Sequence, residues 1–238
     1  EADAPLTGCG TGGSRSLMLV GSALKLAAQQ VLDKARSLAA QQLGTATDAL
    51  EFSAGTFVAP NGDAVTLLDL GAARAAGASG VLDVTAEVPI TRAFPNGCHI
   101  AEVEIDPDTG EAVIDTYTAV DDFGNVINHV VVEGQVHGGV MQGAGQVMGE
   151  HCVYDPDTGQ LLTGSFMDYY MPRADGTPEF RIAEHPVPCT TNLLGAKGAG
   201  EAGTTGALAA IMNAVIDALR PRGIVEMDMP ATPIRVWE

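Results

Sequence analysis

Apolar residues at Leu17, Val20, Leu24, Ala27, Val31, Ala35 and Leu38 recur every three or four positions, the period of one helical face, and Gly44 is placed to stop the helix. From Leu50 to Thr66 the period shortens to β-type runs around Asn61-Gly62, a hairpin turn. A short helix over Leu67 to Ala76 follows, then strands over Val81 to Val88 and His99 to Ile105. Asp106-Pro107-Asp108-Thr109-Gly110 turns the chain into an antiparallel partner over Ala112 to Val120, because Pro presets the first turn dihedral and Gly accepts a positive φ. The same five residue types recur from Asp155 to Gly159, predicting a second hairpin between His151 to Tyr154 and Gln160 to Thr163. A helix rich in small residues is expected from Gly134 to Met148, and a strand from Glu179 to Glu184. A helix over Ala207 to Leu219, a turn at Arg220 to Gly223 and an exposed end over Ala231 to Val236 complete the pattern. Strands paired by hairpins with helices packed on them make an α+β fold in two layers, expected as two intertwined subdomains.

Composition narrows the function classes. Of 238 residues 46% are apolar, enough for a substantial core. Twelve Lys and Arg against 30 Asp and Glu leave a net charge of −18, which argues against a nucleic-acid partner and favours a small neutral or cationic one. No membrane span is expected, and the opening residues EADAPLTGCG have neither the basic nor the apolar part of a signal peptide. A start inside a polar, Gly-containing stretch looks like a cut rather than a natural N-terminus. The cysteines Cys9, Cys98, Cys152 and Cys189 have no CxxC spacing, so iron–sulfur ligation by this chain is not expected. Cys98-His99 and His151-Cys152 could meet in space at a metal, but an isolated Cys is more often a small buried hydrophobe.

Three glycine-rich stretches carry the candidate chemistry. Cys9, Gly10, Thr11, Gly12, Gly13, Ser14, Arg15 and Ser16 lead directly into the first helix. Free N–H groups, hydroxyls, one Arg and a helix start together favour an anion. The spacing is neither that of a Walker loop nor a GxGxxG after a clear strand. A capped helix with Ser14 as N-cap explains the serine but not four glycines in the six residues from Gly8 to Gly13. In Gly134-Gln135-Val136-His137-Gly138-Gly139, continuing to Met148, each interior glycine costs about 1 kcal/mol relative to alanine. Close packing or approach of a ligand would repay that cost, with Gln135 and His137 the polar groups at its start. The third stretch, Pro188 to Gly206, places one acid, Glu201, among five glycines just before an apolar helix. That position adds helix-dipole stabilisation to a carboxylate.

GTGGSRS, GQVHGGVMQG and GAKGAGEAG in this order and at these separations resemble the molybdenum-binding subunit of the xanthine dehydrogenase, aldehyde oxidase and aerobic carbon monoxide dehydrogenase family. The resemblance runs from Gly8 to the closing TPIRVW and matches the C-terminal molybdenum-binding half of that subunit, spanning residues 1–238. It implies a molybdenum–pterin cofactor, commonly a cytosine dinucleotide in bacteria, with iron–sulfur and FAD groups on other segments or subunits. It also implies cofactor contacts from Cys9 to Ser16, Gln135, Cys189, Thr190, Thr191, Asn192, Lys197 and Gly198, with Glu201 as general base and no metal ligand from the chain. The implied reaction is hydroxylation of a small N-heteroaromatic or aldehyde with water as oxygen source, in a cytoplasmic heteromeric complex that dimerises. The implied partners are the N-terminal part of the molybdenum subunit, an iron–sulfur subunit and a flavin subunit. The family's upstream glycine motifs are not in this chain, so it should be inactive alone. Carbon monoxide oxidation, a non-catalytic assembly domain of the same ancestry, and an unrelated nucleotide-binding fold are the alternatives.

Overall fold

The computed structural model describes residues 8, 10–75, 82–89 and 92–238, and its chain divides into two compact units. One comprises residues 1–18 and 92–238; the other is 19–91, so the first is discontinuous in sequence. The expected α+β class holds.

A π-helical turn over Leu17–Gly21 leads into α1 (Ser22–Leu43) of the unit 19–91, and α1 ends at Gly44 in the left-handed region with φ 63°. Strands β1 (Glu51–Ser53), β2 (Thr56–Val58) and β3 (Ala64–Thr66) form an antiparallel meander, and α2 (Leu67–Ala75) follows at once. Gly62 takes the positive φ of the expected turn. Ala35, Ala39, Phe57, Val65 and Leu70 are buried as one cluster. The strand expected over Val81 to Val88 is a correction: residues 82–88 are in no ladder, and Val81 lies outside the described residues.

The other unit is built on a mixed sheet. Strands β4 (Asn96–Ile105) and β5 (Ala112–Asp122) are the expected antiparallel pair across the Asp106–Gly110 turn. After α3 (His129–Met148), β6 (Glu179–Glu184) returns beside β5 in parallel, a connection that requires a crossover of this length. Helix α3 starts at Asn128, whose side chain accepts from the Val131 N–H, earlier than the glycine pattern alone implies. At Asp155 to Gly159 the turn forms, but its arms share only the bridge between Tyr154 and Leu161. Helix α4 (Ala202–Leu219) packs on β4 and on α3, and α3 reaches β6 through the His137 ring stacked on Phe180 at 4.2 Å. Tyr117, Val136, Val140, Ile211 and Val215 fill the space between sheet and helices.

One expectation at the C-terminal end changes. Ala231 and Val236 are buried, because the Ala231 N–H donates to the Val147 carbonyl and α5 (Pro233–Trp237) packs on Gly110. Residues Ala202–Arg222 also have the length and mean hydropathy, 1.4, of a bilayer-spanning helix. Yet Ala207, Ile211, Val215 and Leu219 are buried in the core, so α4 takes the place of a core helix.

Candidate functional site

The approach of α3 to α4 depends on missing side chains. A Cβ at Gly203 would lie 2.5 Å from the Val136 carbonyl, and one at Gly139 would lie 2.9 Å from the Thr204 nitrogen. Close packing therefore accounts for Gly139, Gly143 and Gly203. It does not account for Gly134 or Gly138, where a Cβ would meet no atom within 4 Å.

The start of α4 meets α3 about two turns past its own start, and that approach brings the motifs together. Glu201 is the N-cap residue of α4, its carbonyl accepting from the Thr205 N–H, while its side chain makes no capping bond. Instead Glu201 Oε2 accepts from the Ser14 hydroxyl at 2.9 Å. Gly198 and Gly200 give Ser14 its place, since their Cβ atoms would fall 2.3 Å from Ser14 O and 3.2 Å from Ser14 Oγ. Gln135 borders the same spot, its Oε1 3.6 Å from the position of a Gly200 Cβ, and it makes no hydrogen bond among the described residues. So Ser14, Gln135, Gly198 and Glu201, drawn from all three stretches, converge.

The anion-type loop is held by its own groups. Arg15 Nη2 donates to the Gly10 carbonyl at 2.8 Å, and the Thr11 and Ser16 hydroxyls meet at 2.5 Å. Gly13 and Ser14 both have positive φ, 62° and 54°, so Ser14 is not the helix N-cap of the simpler explanation. A Cβ at Gly10 or Gly12 would meet nothing within 4 Å, so packing does not require glycine there. Arg15 Nε is buried without a partner, a donor aimed for an acceptor that the described chain does not supply. Cys9 lies outside the described residues.

The loop 187–198 has a different design. Asn192 Oδ1 accepts from the Leu194 and Ala196 N–H groups while its Nδ2 donates to the Ala196 carbonyl, so most of its amide is spent on loop shape. Thr191 Oγ1 donates to the Arg92 carbonyl and lies 3.1 Å from Cys189 Sγ. That contact, helped by the Thr191 N–H and Lys197, holds the Cys189 thiol below its ordinary pKa against the opposing effect of burial. Thr190 is exposed. Lys197, one of the implied cofactor contacts, is paired with Asp122 at 2.5 Å, with both side chains largely buried.

Sequence reasoning missed Asp122, because nothing in a strand-end acid marks it as an anchor. Its Oδ1 also accepts from the Gly124 and Val187 N–H groups, tying β5 to the loop. Burial pushes the Asp122 carboxyl up, but Lys197 and the two N–H donors outweigh it and hold the pKa below its usual value. A depressed carboxyl stabilises fully above the unfolded carboxylate range, near pH 4, and the contribution is lost as pH falls through the folded value. Asp122→Asn should therefore cost about 2 kcal/mol at pH 7, and the deficit should shrink below about pH 4 in denaturant titrations at each pH.

His99 was also missed as a network member. Its Nδ1 lies 2.7 Å from the Tyr117 hydroxyl and its Nε2 3.1 Å from Asp121, and Gly206 of α4 is glycine because a Cβ there would strike the ring. Burial, then the Asp121 charge, push the Tyr117 hydroxyl well above its ordinary pKa. Among the described residues no three His, Cys, Asp or Glu side chains converge as metal ligands.

Residues 2–178 match the family model for the molybdopterin cofactor-binding domain. The chain belongs to this family. Its molybdopterin-domain relatives extend the match past residue 178 to the Glu201 loop. The chain is 36% identical over 96% of its length to the nicotine 6-hydroxylase large subunit of Paenarthrobacter nicotinovorans, and covers 29% of that protein. It is 34% identical over 97% of its length to the carbon monoxide dehydrogenase large chain of Hydrogenophaga pseudoflava, covering 30% of it. Among solved structures, a Cu,Mo carbon monoxide dehydrogenase chain superposes with a TM-score of 0.84 at 32% identity, over 99% of this chain and 30% of that one. Quinoline 2-oxidoreductase from Pseudomonas putida 86 gives 0.82 at 33%, over 97% and 30%. The chain thus spans about three-tenths of the length of these relatives. The molybdopterin-domain residues fit the cofactor: glycine backbone at Gly10 and Gly12, the hydroxyls of Thr11 and Ser16, and the unpartnered Arg15 Nε suit an anionic group.

Proposed function

We propose that this chain is the C-terminal part, residues 1–238, of a molybdenum hydroxylase large subunit that oxidises a small N-heteroaromatic or aldehyde with water as oxygen source. The observation that carries the proposal is the convergence of Glu201 with Ser14 and Gln135 at the start of α4. When bound, the molybdenum–pterin group, in its cytosine dinucleotide form, supplies the two-electron oxidation. The residues that would hold it are Cys9 to Ser16 through backbone N–H groups, hydroxyls and Arg15, with Gln135, Cys189 to Asn192 and Gly198 beside them. Lys197 contributes by holding the loop through Asp122. Glu201 accepts a proton from the reacting water, the role of a carboxylate placed at the start of α4.

The rest of the enzyme would comprise the N-terminal part of the subunit, an iron–sulfur subunit and a flavin subunit in a cytoplasmic complex. Carbon monoxide oxidation is the second reading, favoured by the relatives of that name and depending on the upstream segments. Metal and nucleotide analysis of the complete complex tests the proposal. About one molybdenum per chain with cytidine nucleotide released by acid is the expected result; absence of both overturns it.

A further inference from the structure

Ser14 is the least explained residue of the anion-type loop. At φ 54° it occupies the left-handed region, which is uncommon for a residue with a side chain and recurs where function imposes strain. Glycine would hold that conformation at less cost, as Gly13 does beside it at φ 62°. The hydroxyl therefore needs a reason of its own. Its donation at 2.9 Å to Glu201 Oε2 joins positions 187 residues apart. The opposite wall is shaped to admit it, because a Cβ at Gly198 would fall 2.6 Å from the Ser14 Cβ and one at Gly200 would fall 3.2 Å from its Oγ.

Glu201 has another place to go. The first N–H groups of α4 lack partners within the helix and draw a nearby carboxylate, yet the Glu201 side chain makes no capping bond. Ser14 is the described group that holds the carboxylate away from that position.

We propose that Ser14 is a positioning residue for Glu201: its hydroxyl fixes Oε2, selects the side-chain rotamer, and leaves Oε1 as the oxygen that meets the reacting proton. The proposal rests on Glu201 being the general base. It also makes the anion loop and the base one device, since whatever orders residues 10–16 sets the carboxylate.

Ser14→Gly tests it in the complete molybdenum enzyme, because glycine keeps the left-handed backbone while removing the hydroxymethyl side chain that carries the hydrogen bond. Turnover is measured over a panel of quinoline, nicotine and an aldehyde, using the compound the wild type oxidises fastest. Molybdenum and cytidine nucleotide per chain are measured alongside. The Glu201 carboxylate stretch is located by infrared as the band absent from Glu201→Gln. The expected result is cofactor content and KM within about twofold of wild type and kcat lower by about 10–100-fold. The Glu201 band should shift, and adding Ser14→Gly to Glu201→Gln should cause no further loss. An unmoved band overturns the proposal, and so does loss of cofactor with normal kcat per molybdenum, which would leave the Ser14 side chain holding the cofactor and not the carboxylate. Normal turnover by Glu201→Gln removes the base assignment itself, an outcome separate from either of these.

Discussion

Glu201→Gln should abolish turnover while leaving the fold and the bound cofactor in place. Glutamine is nearly isosteric with glutamate and can still accept a hydrogen bond from Ser14 through its amide oxygen. What it cannot do is take up a proton. A general base contributes about 10²–10⁴-fold, so kcat should fall by at least about a hundredfold with molybdenum content unchanged. Steady-state kinetics with an artificial electron acceptor, normalised to molybdenum, measures this in the assembled enzyme. Because Glu201 makes no capping bond of its own, the substitution loses only the charge's interaction with the helix start, about 0.3–1 kcal/mol, and Tm should fall by no more than about 4 °C. Near-normal turnover would leave Glu201 as a loop residue.

Gly203→Val should be the most destabilising single change among the α3–α4 contacts. The added Cβ would sit 2.5 Å from the Val136 carbonyl and 3.0 Å from the Val140 nitrogen, both backbone atoms of a helix that cannot yield locally. Separating the helices would open the core that Val136, Val140, Ala207 and Ile211 close. Overpacking of this kind costs about 3 kcal/mol or more, and about 2–4 °C in Tm accompanies each kcal/mol at this chain length. Gly134→Ala is the control, since a Cβ there meets nothing within 4 Å and alanine is the better helix former. It should be neutral or raise Tm slightly. Equal losses for both variants would show that glycine matters in α3 for some reason other than contact with α4.

How much of this was legible beforehand follows the range of the interactions concerned. Local periodicity and turn chemistry located the first helix and its Gly44 stop, the Asn61-Gly62 hairpin, the β4–β5 pair and α4, because each depends on neighbours in sequence. The parallel return of β6 beside β5 was not legible, since Glu179 to Glu184 alternates in the same way whichever direction its partner runs. Nor was burial of Ala231 and Val236, which depends on a hydrogen bond to Val147 far back in α3. The run Val81 to Val88 has strand composition, but residues 82–88 find no partner strand. At the site, the three glycine stretches were visible in the residues, while their service to one cofactor was implied only by the family resemblance and the Ser14–Glu201 contact by neither. The pairing of Lys197 with Asp122, 75 positions earlier, was not legible because Asp122 carries no motif.

The discontinuous unit has a consequence for synthesis. Residues 1–18 belong with 92–238, and Ser14 reaches its carboxylate partner only after 187 further positions have been added. During translation the 19–91 unit can collapse on its own short-range contacts, while the opening loop waits for α4 to leave the ribosome. The contact that couples the anion loop to the acid thus closes late, and only the packing of the α4 and α5 segments follows it. Premature release of the chain before Glu201 would leave a product in which the opening loop has lost its acidic partner.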